Sequence, residues 1–447
     1  MTAPFRLPPP KPFRGDLPQT VDLAVIGAGV IGISTALFAA RAGLRVVVLE
    51  KGRVAAEQSS RNWGWIRVQG RDLAEIPIAM EAQSLWQSLD AEAQGRLGVR
   101  QVGVSYLAKT DAEMGGFQRW LDAARPLGVS SHLMTRGKLA QVLGGPVGPY
   151  VGGLHTPTDM KAEPWGAVPE LARMAEAEGA QIIEGCAVRA LERTGGAISG
   201  VITEAGTIAC AQVVLAGGAW SSLFLNRHGV DIPQLSVRST ALATGPLPQA
   251  LPGGVAAEGW AARPREDGGY TLAPAGFAEL HLGKDTIRHA RRYLPLALSG
   301  AFSVVLSGSA PKGFPDALGT PRFWRHDEVS PFERMRVLDP APNMAKVSEI
   351  KRRFAQAYPD IGHVNHRDAW AGMIDVLPDE VPVVDHCAKI PGLIVATGMC
   401  GHGFGIGPAY GRIVADLALG RDPGHDLTRF ALNRSYAVAR DRAGPNI

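Results

Sequence analysis

The sequence predicts an α/β fold made of two interleaved units, and three observations predict it. Residues 22–50 read strand, glycine turn, helix, strand. Residues 212–222 read strand, Gly-Gly turn, helix start, and residues 392–420 read strand, glycine run, helix. Strands that alternate with helices build parallel sheets covered on both faces, so these segments join one sheet from opposite ends of the chain. A length of 447 residues exceeds one ordinary core and calls for two domains.

Composition sets the class. The chain is 46% hydrophobic and 20% charged, as soluble globular proteins are. Its 46 Lys and Arg against 42 Asp and Glu leave a formal charge of only +4, with no basic run interleaved with aromatics, so no nucleic-acid groove is expected. Cys186, Cys210, Cys387 and Cys400 form no CxxC pair and have no histidine at zinc spacing. That predicts no metal site and no disulfide framework, and fits a reducing cytoplasm. Residues 1–19 are proline-rich without an apolar core and read as an irregular arm, not a signal peptide or a spanning helix.

The first element is the strand DLAVI, 22–26, which runs into GAGVIG, 27–32. A small-residue helix follows, closed by Gly43, and the next strand, RVVVL, ends on Glu50. This is the dinucleotide fingerprint of a Rossmann-like domain. Gly27 permits the tight turn, Gly29 lets backbone approach a pyrophosphate, and Gly32 lets helix and strand pack closely. The helix N-terminus offers N–H groups to phosphates. Glu50 is placed to accept hydrogen bonds from ribose hydroxyls, which argues against a 2′-phosphate.

The next element, SSRNWGWIR at 59–67, sets Trp63 and Trp65 around Gly64 between Arg61 and Arg67. It follows the second strand, where an extended FAD would pass. Ser59, Ser60, Arg61 and Asn62 suit pyrophosphate and ribityl oxygens, and Trp63 and Trp65 suit the wall of a flavin or substrate space. GAQIIEGCAVRALER, 179–193, reads as two strands with Val188 as a cofactor contact, and AISGVITEAGTIACA, 197–211, as a two-stranded excursion. In QVVLAGGAWSS, 212–222, Ala216, Gly217 and Trp220 lie where the chain passes close to a ligand. In the final run, Gly401, Gly403, Phe404 and Gly405 precede a helix with Pro408 in its first turn. A second helix N-terminus aimed at the cofactor suits a reduced flavin, which carries negative charge, and not a nicotinamide. FAD is therefore the expected cofactor.

The FAD-binding domain is expected to gather residues 20–100, 150–235 and 368–435, and the α+β substrate domain, on a mixed or antiparallel sheet, residues 101–149 and 236–367. A tail follows at 436–447. The apolar run YLPLALSGAFSVVLSG, 293–308, is broken by Pro295 and Gly300 and is too short to span a bilayer. It reads either as a buried subdomain element or as a surface that touches a membrane or quinone pool.

Taken together, VIGAGVIG with Glu50, SSRNWGW, VVLAGGAWS, WAGMIDVLPDEVPVVD (370–385) and PGLIVATGMCGHGFGIGP resemble the D-amino-acid-oxidase-type superfamily of flavoproteins, which includes glycine, sarcosine and D-amino acid oxidases and dehydrogenases. EQSSR (57–61), VVLAGGAWSSLF (213–224), YLPLAL (293–298) and DEVSPFE (327–333) are similar to bacterial membrane-associated L-amino acid deaminases. There the segment near YLPLAL belongs to a subdomain linked to membrane association, which implies a cytoplasmic protein at the periphery of the inner membrane. The first twenty residues do not resemble that group's hydrophobic anchor. Gly372 stands where sarcosine-oxidase-like members carry a flavin-linking cysteine, which implies non-covalent FAD. Gly405 and Ala275 stand where related enzymes place a carboxylate-binding lysine and arginine.

The resemblance implies oxidation of the C–N bond of an amino acid or related amine. Hydride passes to flavin N5, the imine hydrolyses, and oxygen or a quinone accepts the electrons. Arg67 is the preferred carboxylate anchor because its fork matches a carboxylate, with Trp65 and His402 beside it at the ring. Arg263, Arg265 and Arg336 are weaker candidates and read first as solvated residues. Asp375 and Asp379 read as turn formers. Two other functions fit the same motifs: a hydroxy-acid dehydrogenase, and a flavin-bearing subunit of an electron-transfer complex.

Overall fold

Leu23, Ala24 and Val25 are aliphatic on both faces of their strand and fully buried, which demands cover on both sides. A computed structural model of the chain, describing residues 12–143, 147–298 and 303–437, supplies that cover. The expected arm, tail and apolar run lie partly outside the described residues. Leu23–Ile26 is central in a six-stranded sheet ordered Val383–His386, Leu393–Thr397, Gln212–Leu215, Leu23–Ile26, Val46–Glu50, Gln181–Glu184. Neighbours are parallel except at the first pair.

On one face, Val25 and Val48 pack with Ile33 and Leu37 of the helix Val30–Arg41, with Ile406 and Tyr410 of Gly403–Ala418, and with Leu171 of Pro164–Ala177. On the other, Ala24, Val47 and Val213 meet Val201 and Ile208 of a three-stranded sheet and Phe224 of the helix Ser221–Arg227. The first helix starts at Val30, three residues earlier than the sequence predicts, because the glycine turn closes at Gly29. The described part of the N-terminal arm is docked: Phe13 is buried, its N–H donates to Glu184 and its carbonyl accepts from Glu184 N.

The second large element is a ten-stranded mixed sheet, running from Ser303–Ser309 through Phe277–Leu282, Leu235–Thr244, Tyr270–Ala273, Trp260–Pro264, Gly254–Ala257, Val104–Ala108 and Gly152–Thr156 to His132–Thr135. His366–Val376 pairs along Leu235–Thr244. The strands Gly152–Thr156 and His366–Val376 therefore belong to this sheet, although the sequence division at 150 and 368 assigned them to the nucleotide-binding unit. Two neighbouring pairs are parallel and the rest antiparallel. The amphipathic helix Met344–Ala357 covers it, with Val347, Ile350 and Phe354 against Leu242, Leu272 and Trp260. Burial of each such side chain contributes about 1.5–3 kcal/mol.

A fourth, small sheet is built from Trp65–Ile66 and Arg100–Gln101 on either side of Met160–Lys161. It carries the tryptophan segment. The four cysteines are buried and free, and among the described residues no helix is long and apolar enough to cross a membrane.

The first and last helices touch through Gly411, whose added Cβ would collide with Ser34 Cβ. No flexible side-chain end is available to yield there. Gly411→Val should lower stability by about 1–3 kcal/mol by overpacking, measured by denaturant unfolding, whereas Gly166→Ala, in open space on the helix Pro164–Ala177, should leave it unchanged or slightly raised.

Candidate functional site

A cleft of about 1770 Å³, part of it open to solvent, runs along the carboxyl ends of the parallel strands and past the small sheet to the start of Gly403–Ala418. At its first end Gly27 turns at φ +103°, and a Cβ there would lie 2.5 Å from Ala216 O. Only glycine allows that turn and that approach. Glu50 closes the strand. Its Oε2 accepts from Ala28 N at 2.9 Å and its Oε1 from Gly52 N at 2.7 Å. Burial raises its carboxyl above the usual range against the pull of Lys51 and these N–H groups. Neither the helix Val30–Arg41 nor Gly403–Ala418 has an acidic residue in its first turn or a side-chain cap from its own N-cap residue. Two positive helix ends thus face the cleft, ready for an anionic ligand. Cys400 and Gly401 take left-handed angles, φ +49° and +78°, to bring the second helix in.

The segment 59–67 crosses the middle of the cleft. Ser59 Oγ accepts from Val30 N at 2.9 Å and so reaches the first helix start. Asn62 folds on itself, donating to Ser59 O and accepting from Gly64 N. The rings of Trp63 and Trp65 meet edge-to-face at 5.2 Å, and both line the cleft. Beyond them sits a buried polar cluster: Arg67, Arg71, Glu75, Tyr106, Asp159 and His402. His402 Nδ1 lies 3.6 Å from Glu75 Oε2. Burial and the nearby Arg71 push His402 down to about 4, so its ring is neutral at pH 7. Burial alone would raise Glu75; His402, Arg71 and Arg67 outweigh it and hold the carboxyl below its usual range. Burial raises Asp159 to about 7, against hydrogen bonds from Val68 N and Gln83 and the charge of Arg67.

The family model for FAD-dependent oxidoreductases, DAO, matches residues 22–417. This chain belongs to the DAO family. A curated relative, sarcosine oxidase subunit beta of Rhizobium meliloti (strain 1021), is 25% identical over 441 residues, covering 96% of this chain and 90% of its own length. Among solved structures, L-amino acid deaminase from Proteus myxofaciens in complex with anthranilate aligns with a TM-score of 0.90 at 29% identity, covering 95% of this chain and 96% of that one. L-amino acid deaminase from Proteus vulgaris gives 0.89 at 29% identity, covering 95% and 99%.

The residues of this DAO chain fit FAD on the two unneutralised helix ends, the Gly27 turn and the half-buried Glu50. Of the cofactor contacts expected from sequence, Gly27, Gly29, Glu50, Ser59, Arg61 and Asn62 line the cleft. So do Val188, Ala216, Gly217 and Trp220, and at the far end Gly372, Gly401, Gly403 and Phe404. The expected substrate-end residues Trp65, Arg67 and His402 line it too. Gly32, Ser60, Gly64 and Gly405 do not, each for a packing reason. Gly32 sits on Gly27 O, Ser60 Oγ turns to Ala55 O, Gly64 abuts Ala162 O, and a Cβ on Gly405 would come within 2.9 Å of Trp65 O.

Several candidate side chains also make structural contacts. Arg61 is buried and donates to Ala56 O, Ala371 O and Asp339. Arg263 and Arg265, expected in solvent, are buried: Arg263 grips Glu163 with two bonds and Trp63 O with a third, and Arg265 pairs with Asp267 over the Trp165 ring. Arg336 pairs with Glu204. Asp375 is not in a turn; it lies within His366–Val376, lines the cleft, and accepts from Gly398 N at 2.8 Å. Asp379 binds Arg429 and Arg434. Sequence reasoning missed Arg71, Glu75 and Asp159. They lie in a loop before the helix Ile76–Glu92 or far along the chain, where no local pattern marks them.

The shifts of Asp159 and His402 have opposite consequences. Asp159 holds its proton more tightly when folded, so its contribution is full below pH ~4 and is lost as pH rises to about 7. His402 holds its proton less tightly when folded, so its contribution is full above pH ~6.5 and is lost as pH falls to about 4. Each slope approaches roughly 1.4 kcal/mol per pH unit. Unfolding free energies measured from pH 4.5 to 6.5 should therefore climb more steeply in Asp159→Asn than in the parent, and fall with pH in His402→Gln.

Proposed function

We propose that the protein oxidises the C–N bond of an amino acid or related amine, using FAD held non-covalently. The observation that carries this reading is the pair of buried guanidiniums, Arg67 and Arg71, set beside the Trp63–Trp65 rings in the same cleft as the Gly27 turn and Glu50. When bound, FAD supplies the two-electron acceptor. The chain's own residues bind, orient and desolvate. The guanidiniums draw an anionic substrate to one end. The indoles wall that end and keep water from it. His402, uncharged at pH 7, leaves the positive charge there to the arginines. No cysteine lines the cleft among the described residues, and a side chain at position 372 would press on Arg61 at 3.3 Å; both favour unlinked FAD.

Oxygen or a quinone-type carrier takes the electrons onward. Peripheral contact with an anionic membrane is the finer reading of residues 293–308. It is supported by Val304, Val305 and Leu306, exposed on the edge strand Ser303–Ser309, and by the exposed Arg288, Arg291 and Arg292 on the helix Lys284–Leu298.

Two measurements test these readings. In an anaerobic screen of D-, L- and N-methyl amino acids, at least one should bleach the flavin band of the purified holoenzyme, and the matching hydroxy acids should not. Bleaching by hydroxy acids alone, or only after other subunits are added, overturns the amine reading. In sedimentation with phosphatidylserine-containing vesicles, the parent protein should co-pellet and Leu306→Asp should remain in the supernatant; equal behaviour removes the membrane reading.

A further inference from the structure

Arg71 is buried, and Glu75 and Asp159 act on it only through space. Its Nε donates to Arg67 O at 3.3 Å, while its Nη1 is buried without a hydrogen-bond partner, and the residue lines the cleft. Arg67 is already engaged: its Nη1 donates to Gln69 O at 2.5 Å and its guanidinium lies over the Tyr106 ring at 5.5 Å. A buried guanidinium with an unpartnered N–H group is costly unless an anion arrives to complete it.

The surrounding charges do not balance. Two arginines contribute positive charge. Glu75 is anionic but turned to His402, and burial raises Asp159 to about 7, so it supplies only part of a negative charge at neutral pH. The cluster therefore carries an excess of up to one positive charge, directed at the end of the cleft walled by Trp63 and Trp65.

We propose that Arg71 is the direct ligand of the substrate carboxylate, and that the site selects a monocarboxylate whose apolar or aromatic substituent packs on Trp63 and Trp65. This deepens the amine-oxidation reading and rests on it for the identity of the reaction. The backbone carbonyl of Arg67 orients the Arg71 fork by accepting from its Nε. Glu75 and Asp159 hold the guanidinium without consuming its fork. A dicarboxylate brings one negative charge more than the cluster lacks, and an amide brings none.

The test uses benzoate and its neutral counterpart benzamide as probes of the FAD-loaded protein, read by perturbation of the flavin visible spectrum. The parent should bind benzoate and discriminate against benzamide. Arg71→Met should weaken benzoate roughly 100-fold, leaving benzamide binding and FAD content unchanged. Arg71→Lys, which keeps the charge but not the fork, should weaken benzoate about 10-fold and serves if the methionine variant does not fold. An unchanged benzoate-to-benzamide ratio in the variants, or a parent that does not distinguish the probes, overturns the proposal; so does a loss confined to Arg67→Met. Benzoate discrimination with no amine able to bleach the flavin would remove the C–N reading and leave Arg71 as a carboxylate ligand. Amine oxidation without discrimination would do the reverse.

Discussion

Three hydrogen bonds to the carbonyls of one short segment hold the site together. Trp370 Nε1 donates to Arg61 O at 2.9 Å, Arg263 Nε to Trp63 O at 2.5 Å, and Ala162 N to Gly64 O at 2.9 Å. Two of these donors come from strands of the ten-stranded sheet, while the segment itself follows directly from the nucleotide-binding strands. Leaving such buried carbonyls unpaired would cost about 1–3 kcal/mol each. Arg263 can serve as a rigid clamp because Glu163 neutralises it through two bonds, at 2.8 and 2.9 Å. From that fixed line the chain reaches back to the first helix through Ser59 and forward to the last helix, where Gly405 rests on Trp65 O. The tryptophans and Arg67 are set by this backbone and not by loop preference.

The arginines of this protein divide by their partners. Arg61, Arg263 and Arg336 are tied to carboxylates and carbonyls that join distant parts of the chain, and Asp379 gathers Arg429 and Arg434 to fasten the C-terminal end. Arg71 combines a buried Nη1 that has no hydrogen-bond partner with a place in the cleft lining. Buried charge that is satisfied works as a fastener; buried charge left open in a cavity works as a receptor.

Much of this was legible in the sequence. The Gly27–Gly32 turn with Glu50, the Gly-Gly turn after Leu215 and the glycine run before the last helix are local patterns, and local patterns carry their geometry with them. The tryptophan segment was legible as a cofactor-facing element because of its position after Glu50. What the sequence concealed was the long-range pairing. Nothing in the string around Arg263 says that its carboxylate lies a hundred residues earlier at Glu163, so it read as solvated. Asp375 read as a turn former because the neighbouring Pro378 and Asp379 look like one, yet its backbone pairs with Ser236 deep in the large sheet. Arg71 was overlooked because one arginine four residues after another reads as a charged surface until its burial is known.

The order in which the chain is made bears on when the cleft can exist. The six-stranded sheet draws Leu23–Ile26 and Val46–Glu50 from the start, Gln181–Glu184 and Gln212–Leu215 from the middle, and Leu393–Thr397 from near the end. During synthesis the early strands and their helix leave the ribosome with one flank uncovered, and the second helix end arrives only with Gly403. Pairings this distant fold slowly and leave apolar surface exposed in the interim. The two halves of the dinucleotide cleft are thus built from segments far apart in the chain, and neither half encloses the cofactor without the other.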